Sequence, residues 1–215
     1  MVDSFNKRWE KGDEPSLATR VRETVRSPGP LKPRIDAAAK HVEHQIQMLD
    51  KTSDRFSERD KSIFNKVVDA YTKHDSAHAN VYANELAEIR RMEKVTMSAR
   101  LALDQIVLRL QTVSELGDVA HALLPVIGVV RDVKNGMSSV SPQIAKELGN
   151  ISDLLSGIVL DAGAVTGMSI NFESSNEDAQ KIMMEAAAVA EHRMKDTFPE
   201  LPGKASVGQP LTDRT

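Results

Sequence analysis

Apolar residues recur in strict sevens along the first half of the chain: Ile35, Val42, Leu49, Phe56, Ile63 and Ala70. Ala39, Ile46 and Val67 belong to the neighbouring row. A second series, Tyr82, Ile89, Leu103 and Leu110, is flanked by Leu86, Met92, Ala99, Ile106 and Val113. A seven-residue spacing keeps one stripe of a helix turned towards a partner, so the pattern predicts two long helices with coiled-coil-like seams. The stretch that carries both series, Arg34 to Leu116, is 83 residues without Gly or Pro. At about 1.5 Å per residue, each arm of roughly 35 residues is on the order of 50 Å long.

Between the arms, from Thr72 to Asn80, the stripe loses its large apolar residues. It also slips phase: the row through Ile46 and Val67 leads to position 81, whereas the second arm counts from Tyr82. A single helix of this length would leave both stripes in water, so the arms are expected to fold back as an antiparallel hairpin. Asp75 or Ser76 is placed to cap the second arm.

Shorter elements follow. Gly117 closes the second arm and Asp118 caps a third helix, Val119 to Lys134, which Pro125 and Gly128 should bend. Asn135-Gly136 then predicts a left-handed stop. Ser141-Pro142 opens a fourth helix with Ile144, Leu148, Ile151, Leu155 and Ile158 on one face, and Gly149 and Gly157 make it dependent on docking. Residues 161–176, with Gly163 and Gly167 and no period, read as a linker. A fifth helix runs from about Glu177 to Asp196, with Ile182, Met183, Ala186, Ala190 and Met194 as a weak apolar face. The predicted class is all-α, a long antiparallel helical hairpin plus three shorter helices. The predicted organisation is a flexible N-terminal arm over 1–33, a helical core over 34–160, a linker over 161–176, a C-terminal helix with a proline-bearing segment over 177–202, and a disordered tail over 203–215.

Composition sharpens this picture. With 4% aromatic residues in 215, the core must come from Leu, Ile, Val, Ala and Met on helices. The absence of cysteine removes disulfides and thiolate metal sites and points to a reducing compartment. The longest uncharged apolar stretch, Val119 to Val130, is 12 residues, short of the roughly 20 that a spanning helix needs. A soluble, cytoplasmic protein is expected.

Charge is unevenly spread. Residues 1–110 carry a net +3 and residues 111–215 a net −6. Arg20, Arg22, Arg26, Lys32 and Arg34 face only Glu23 within 20–34, a basic front that could meet an anionic surface or an acidic back half. Upstream, Val2, Phe5 and Trp9 fall on one face of a short helix beside Lys7, Arg8 and Lys11. That arrangement suits an interfacial anchor, with rings among headgroups and cations near phosphates, or equally a segment docked on the helical body.

Catalytic motifs do not emerge. There is no P-loop, no His-Glu-x-x-His, no G-x-S-x-G and no Glu-x-x-His pair. His74 and His78 share a helix spacing at the polar tip without a third ligand in view. No cofactor, no metal site and no enzymatic activity are expected. Phe198-Pro199-Glu200-Leu201-Pro202 stands apart. In polyproline II geometry Phe198 and Leu201 share one edge and Pro199 and Pro202 the next, a partly ordered ligand for an apolar groove. It also reads as a helix stop with incidental apolar residues.

A basic helical hairpin, shorter helices, an acidic back half and a terminal proline motif together resemble the ESCRT-III proteins, most closely the archaeal cell-division type, CdvB. The resemblance spans roughly residues 1–202, and nothing in the chain reads as the winged-helix domain that some CdvB proteins carry. It implies a membrane-remodelling filament subunit that polymerises with itself or with paralogs on an anionic membrane at the division site. It further implies disassembly by an MIT-domain AAA+ ATPase, with Phe198, Pro199, Leu201 and Pro202 as docking residues similar to the second class of MIT-interacting motif. Phe5, Lys7, Arg8 and Trp9 would anchor membrane or a partner, beside the membrane-facing Arg20, Arg22, Arg26, Lys32 and Arg34. No nucleic-acid partner is implied. The rival from another class is a passive helical scaffold or adaptor without membrane activity.

Overall fold

The computed structural model describes residues 30–113, 119–166 and 176–199. Among them are five helices and no strand: α1 (Leu31–Thr72), α2 (Ser76–Val113), α3 (Val119–Met137), α4 (Pro142–Thr166) and α5 (Asn176–Thr197). The all-α architecture, one long hairpin plus three shorter helices, is the predicted one. At about 1.5 Å per residue, α1 and α2 are roughly 60 Å rods.

The helix stop between them is built from three residues. His74 takes a left-handed conformation at φ 57°. The Asp75 amide then donates to Ala70 O at 2.9 Å and the His74 amide to Tyr71 O at 3.1 Å, satisfying carbonyls that the end of α1 leaves open. Asp75 starts the next helix at once, its Oδ1 accepting from the His78 amide at 3.1 Å. That backbone bond, with the His78 ring on Oδ2 at 2.7 Å, holds the Asp75 carboxyl below its usual range. The arms therefore reverse rather than continue as one helix.

Every member of the first row of sevens is buried except Phe56, which is half-buried. Leu86, Ile89, Ala99, Leu103, Ile106, Leu110 and Val113 face them from α2. The apolar core comes in two parts. A large cluster joins the open end of the hairpin to α3, α4 and α5. A small one, Ile63, Val67, Leu86 and Ile89, holds the tip half by α1 and α2 alone.

The α3–α4 pair closes the open end. α4 buries all five residues of its expected face, and α5 lies on α2 and α3 through Ala179, Ile182, Ala186 and Ala190. Helix boundaries differ from the sequence expectation at three places. α1 begins at Leu31, because Pro33 sits in the first turn, where an amide has no helical acceptor to lose. α3 runs through Asn135-Gly136 to Met137, whose fully buried side chain one turn after buried Val133 outweighs the stop signal. α4 continues to Thr166, so residues 161–166 are helix and not linker: Val159 and Ala162 are in the core, and Asp161 is paired to Arg34 on α1.

Candidate functional site

The row Ala39, Ile46, Ser53, Asp60, Val67 is apolar at its ends and polar at its centre. Opposite stand Glu93 and Thr96 of α2, and Asp60, Glu93 and Thr96 are all buried. These residues separate the two apolar clusters along the hairpin. Asp60, 2% exposed, is gripped by Arg90 through Nε to Oδ1 at 2.6 Å and Nη2 to Oδ2 at 3.3 Å. Such a two-pronged bond fixes the plane of the guanidinium, which a lysine in its place would not do. Ser53 donates its hydroxyl to Glu93 Oε1, while Oε2 has no hydrogen-bond partner. Burial, and then the acidic neighbours Asp54 and Asp60, push the Glu93 carboxyl upward against the Ser53 bond.

The guanidinium that holds Asp60 also receives the end of α5. Its centre lies 5.4 Å from the Phe198 ring and 6.0 Å from the Phe64 ring, both within cation–π range. Its remaining arm, Nη1, donates to the Pro199 carbonyl at 2.9 Å. Ser57, Asp60, Lys61, Phe64 and Asn65 of α1 together with Thr197, Phe198 and Pro199 line an open cleft beside this contact. Helix geometry delivers Phe198 there: its amide still bonds back to Met194 O at 3.0 Å. About two turns before Phe198, Glu191 forms a half-exposed ion pair with Lys94 of α2 at 3.0 Å.

Two cell division proteins are similar to most of this chain. Over 198 residues it is 39% identical to Cell division protein B1 of Sulfolobus acidocaldarius, covering 92% of this chain and 89% of that one. Over 161 residues it is 34% identical to Cell division protein B of the same organism, covering 75% of this chain and 62% of that one. The chain belongs to the CdvB family of cell division proteins. No family model and no solved structure matches it.

Within this CdvB-family, ESCRT-III-like fold, the residues singled out from sequence are scattered. Phe198 and Pro199 are seated against Arg90. Lys32 is exposed in the first turn of α1. Arg34 is one-third exposed and paired with Asp161 across the open end. Phe5, Lys7, Arg8, Trp9, Arg20, Arg22, Arg26, Leu201 and Pro202 lie outside the described residues, as does Gly117, expected to close the second arm. Among the described residues no helix is long and apolar enough to cross a membrane. Sequence reasoning missed Asp60, Arg90 and Glu93, although the two polar positions interrupting the row at 53 and 60 were their visible trace.

Proposed function

We propose that this CdvB-family chain is a subunit of a membrane-remodelling filament of the ESCRT-III type, acting in archaeal cell division. In this reading hairpins stack side by side on an anionic membrane, which the basic front and the Phe5–Trp9 segment contact. An MIT-domain AAA+ ATPase then takes the polymer apart through Phe198, Pro199, Leu201 and Pro202. The observation that supports it best is the unequal seating of the parts. The tip half of the hairpin has an apolar cluster of its own, whereas α5 reaches α2 and α3 largely through alanines, Ala179, Ala186 and Ala190, with Ile182 beside them. Small residues bury little apolar area, so α5 can leave at a cost of a few kcal/mol, the range in which a second state is accessible.

The test compares the full chain with residues 1–166, which keeps α4 whole, in sedimentation and electron microscopy with and without anionic vesicles. The filament reading expects more pelleted polymer from 1–166 and vesicle binding that weakens on Trp9→Ala. A monomer in every condition, without vesicle binding, favours the passive scaffold instead.

A further inference from the structure

We propose that the groove between α2, α3 and α5 is the seat of this chain's own N-terminal segment, with the Trp9 ring filling it when no membrane is at hand. The proposal rests on the reading of Phe5–Trp9 as an interfacial anchor and adds a second place for the same ring.

The groove follows from the residues that meet there. Val95 and Ala99 of α2, Val133 and Gly136 of α3, and Met183 and Ala187 of α5 line a cleft of about 280 Å³. α5 brings mostly small side chains to this contact, and Gly136 faces Val95 with none at all, a Cβ there lying 3.8 Å from Val95 Cγ1. The three helices therefore meet without closing over Val95. Val95 and Met183 stay half-buried, although Ala99, Val133 and Ile182 beside them are in the core. A flat aromatic ring suits such a wall, because it buries a large apolar area while fixing only two torsions.

Sequence, reach and charge select the occupant. Of the two chain ends outside the described residues, 1–29 carries Phe5 and Trp9, whereas 200–215 carries no aromatic residue. Pro30, 21 residues after Trp9, leads into α1 at the open end of the hairpin, and Val95 lies 18 residues before the end of α2 at that same end. Along the helix that is roughly 27 Å, whereas 21 residues span up to about 70 Å. On the rim, Arg91 and Lys94 are already paired with Glu88 and Glu191, which leaves the exposed Asp132 as the lining charge to be matched. Within 7–11, the cations Lys7, Arg8 and Lys11 flank Trp9 against one acid, Glu10. Because both partners belong to one chain, even a weak contact is well populated.

Trp9 is the chain's one tryptophan, so its fluorescence reads the seat directly. Emission and acrylamide quenching are measured on the full chain without lipid, at concentrations where it sediments as a monomer, beside a peptide of residues 1–20. Two variants alter the groove: Ala187→Phe fills it with a ring of its own, and Val95→Asp places a charge on its wall. Circular dichroism verifies the helices, and Ala187→Phe decides alone where Val95→Asp loses them. The expected result is blue-shifted emission and about fivefold less quenching in wild type than in the peptide, as a docked fraction of roughly four-fifths gives, with peptide-like values in the variants. On vesicles of equimolar phosphatidylcholine and phosphatidylserine the variants should bind more tightly than wild type, since no seat competes with the headgroups. Peptide-like quenching in wild type overturns the docking, and shielding that the variants do not relieve overturns this groove as the seat. Equal vesicle binding by wild type and variants overturns the competition. Vesicle binding by none of them overturns the anchor reading itself, while the quenching still decides whether Trp9 docks.

Discussion

Ser53 of α1 and Glu93 of α2 meet across the hairpin seam, the serine hydroxyl donating to one carboxyl oxygen while the other oxygen has no partner. At 2% exposure Glu93 sits where a leucine would extend the apolar core from Leu49 towards Ile63. Its ionisable surroundings are hostile to a charge. Asp54 and Asp60 of α1 are acidic, Arg90 on its own helix is committed to Asp60, and Lys94 reaches away to Glu191 of α5. The seam is therefore weakest at its middle, between two apolar clusters that each hold on their own side.

A buried acid whose folded pKa is raised favours the folded state while it stays protonated. That stability is fully present below the unfolded value of 4.5 and is lost as pH rises through the folded value. Asp75, Glu88 and Glu191 are shifted downward by their hydrogen bonds and act in the opposite sense, losing their contribution as pH falls. A Glu93→Gln variant keeps those three and removes only the first effect. Thermal unfolding from pH 4 to 8 should show the variant gaining on wild type as pH rises, by about 1–3 kcal/mol, the cost of an unsatisfied buried group. A constant difference across that range would show that Glu93 does not titrate in the fold.

Asp60 and Arg90 should be strongly coupled. Asp60 is 3% exposed at its side chain and Arg90 20%, so removing the cation alone leaves a carboxylate buried without compensation. Arg90→Ala is expected to cost about 3 kcal/mol, and Asp60→Ala with Arg90→Ala distinctly less than the two single changes added together. Denaturant unfolding of the four members of this cycle measures the coupling directly. Additive single changes would mean that water reaches the pair.

The turn offers a test of opposite sign. His74 occupies the left-handed position that helix stops usually give to glycine, and an L side chain there costs roughly 1 kcal/mol. His74→Gly should recover part of that, about 0.5 kcal/mol after the added freedom of the unfolded glycine, and should leave the reversal between α1 and α2 intact. A fall in stability would show that the His74 ring makes a contact worth more than the strain.

The hairpin was legible because its first row of sevens is sustained from Ile35 to Ala70, and because Asp75 is a strong cap. The left-handed residue was not, since nothing in Lys73-His74 announces it. Local stop signals misled wherever tertiary burial was stronger. Asn135-Gly136 stays helical because Met137 must reach the core, and 161–166 stays helical because Ala162 and Asp161 each have a place to go. Phe198 stood apart in the sequence, yet the Arg90 guanidinium it packs against did not. An arginine and an aspartate 30 residues apart pair only once the register of the hairpin is fixed.

The glycines of α4 give the last prediction. A Cβ at Gly149 would meet only the flexible side chain of Lys134, 3.6 Å away, and one at Gly157 only Arg34 Nη2 at 3.5 Å, both ordinary contacts. Neither position requires glycine for space, and neither has the positive φ that would require it for conformation. Alanine at either site should add about 0.5–1 kcal/mol through helix propensity, raising the unfolding midpoint by roughly 2–4 °C for each kcal/mol. If the closed arrangement must loosen at α4 before hairpins associate, the Gly149→Ala, Gly157→Ala protein will also polymerise more slowly than wild type at equal concentration. Light scattering after mixing with anionic vesicles reads that rate. A more stable protein that polymerises at the wild-type rate would place any loosening step of the proposed assembly outside α4.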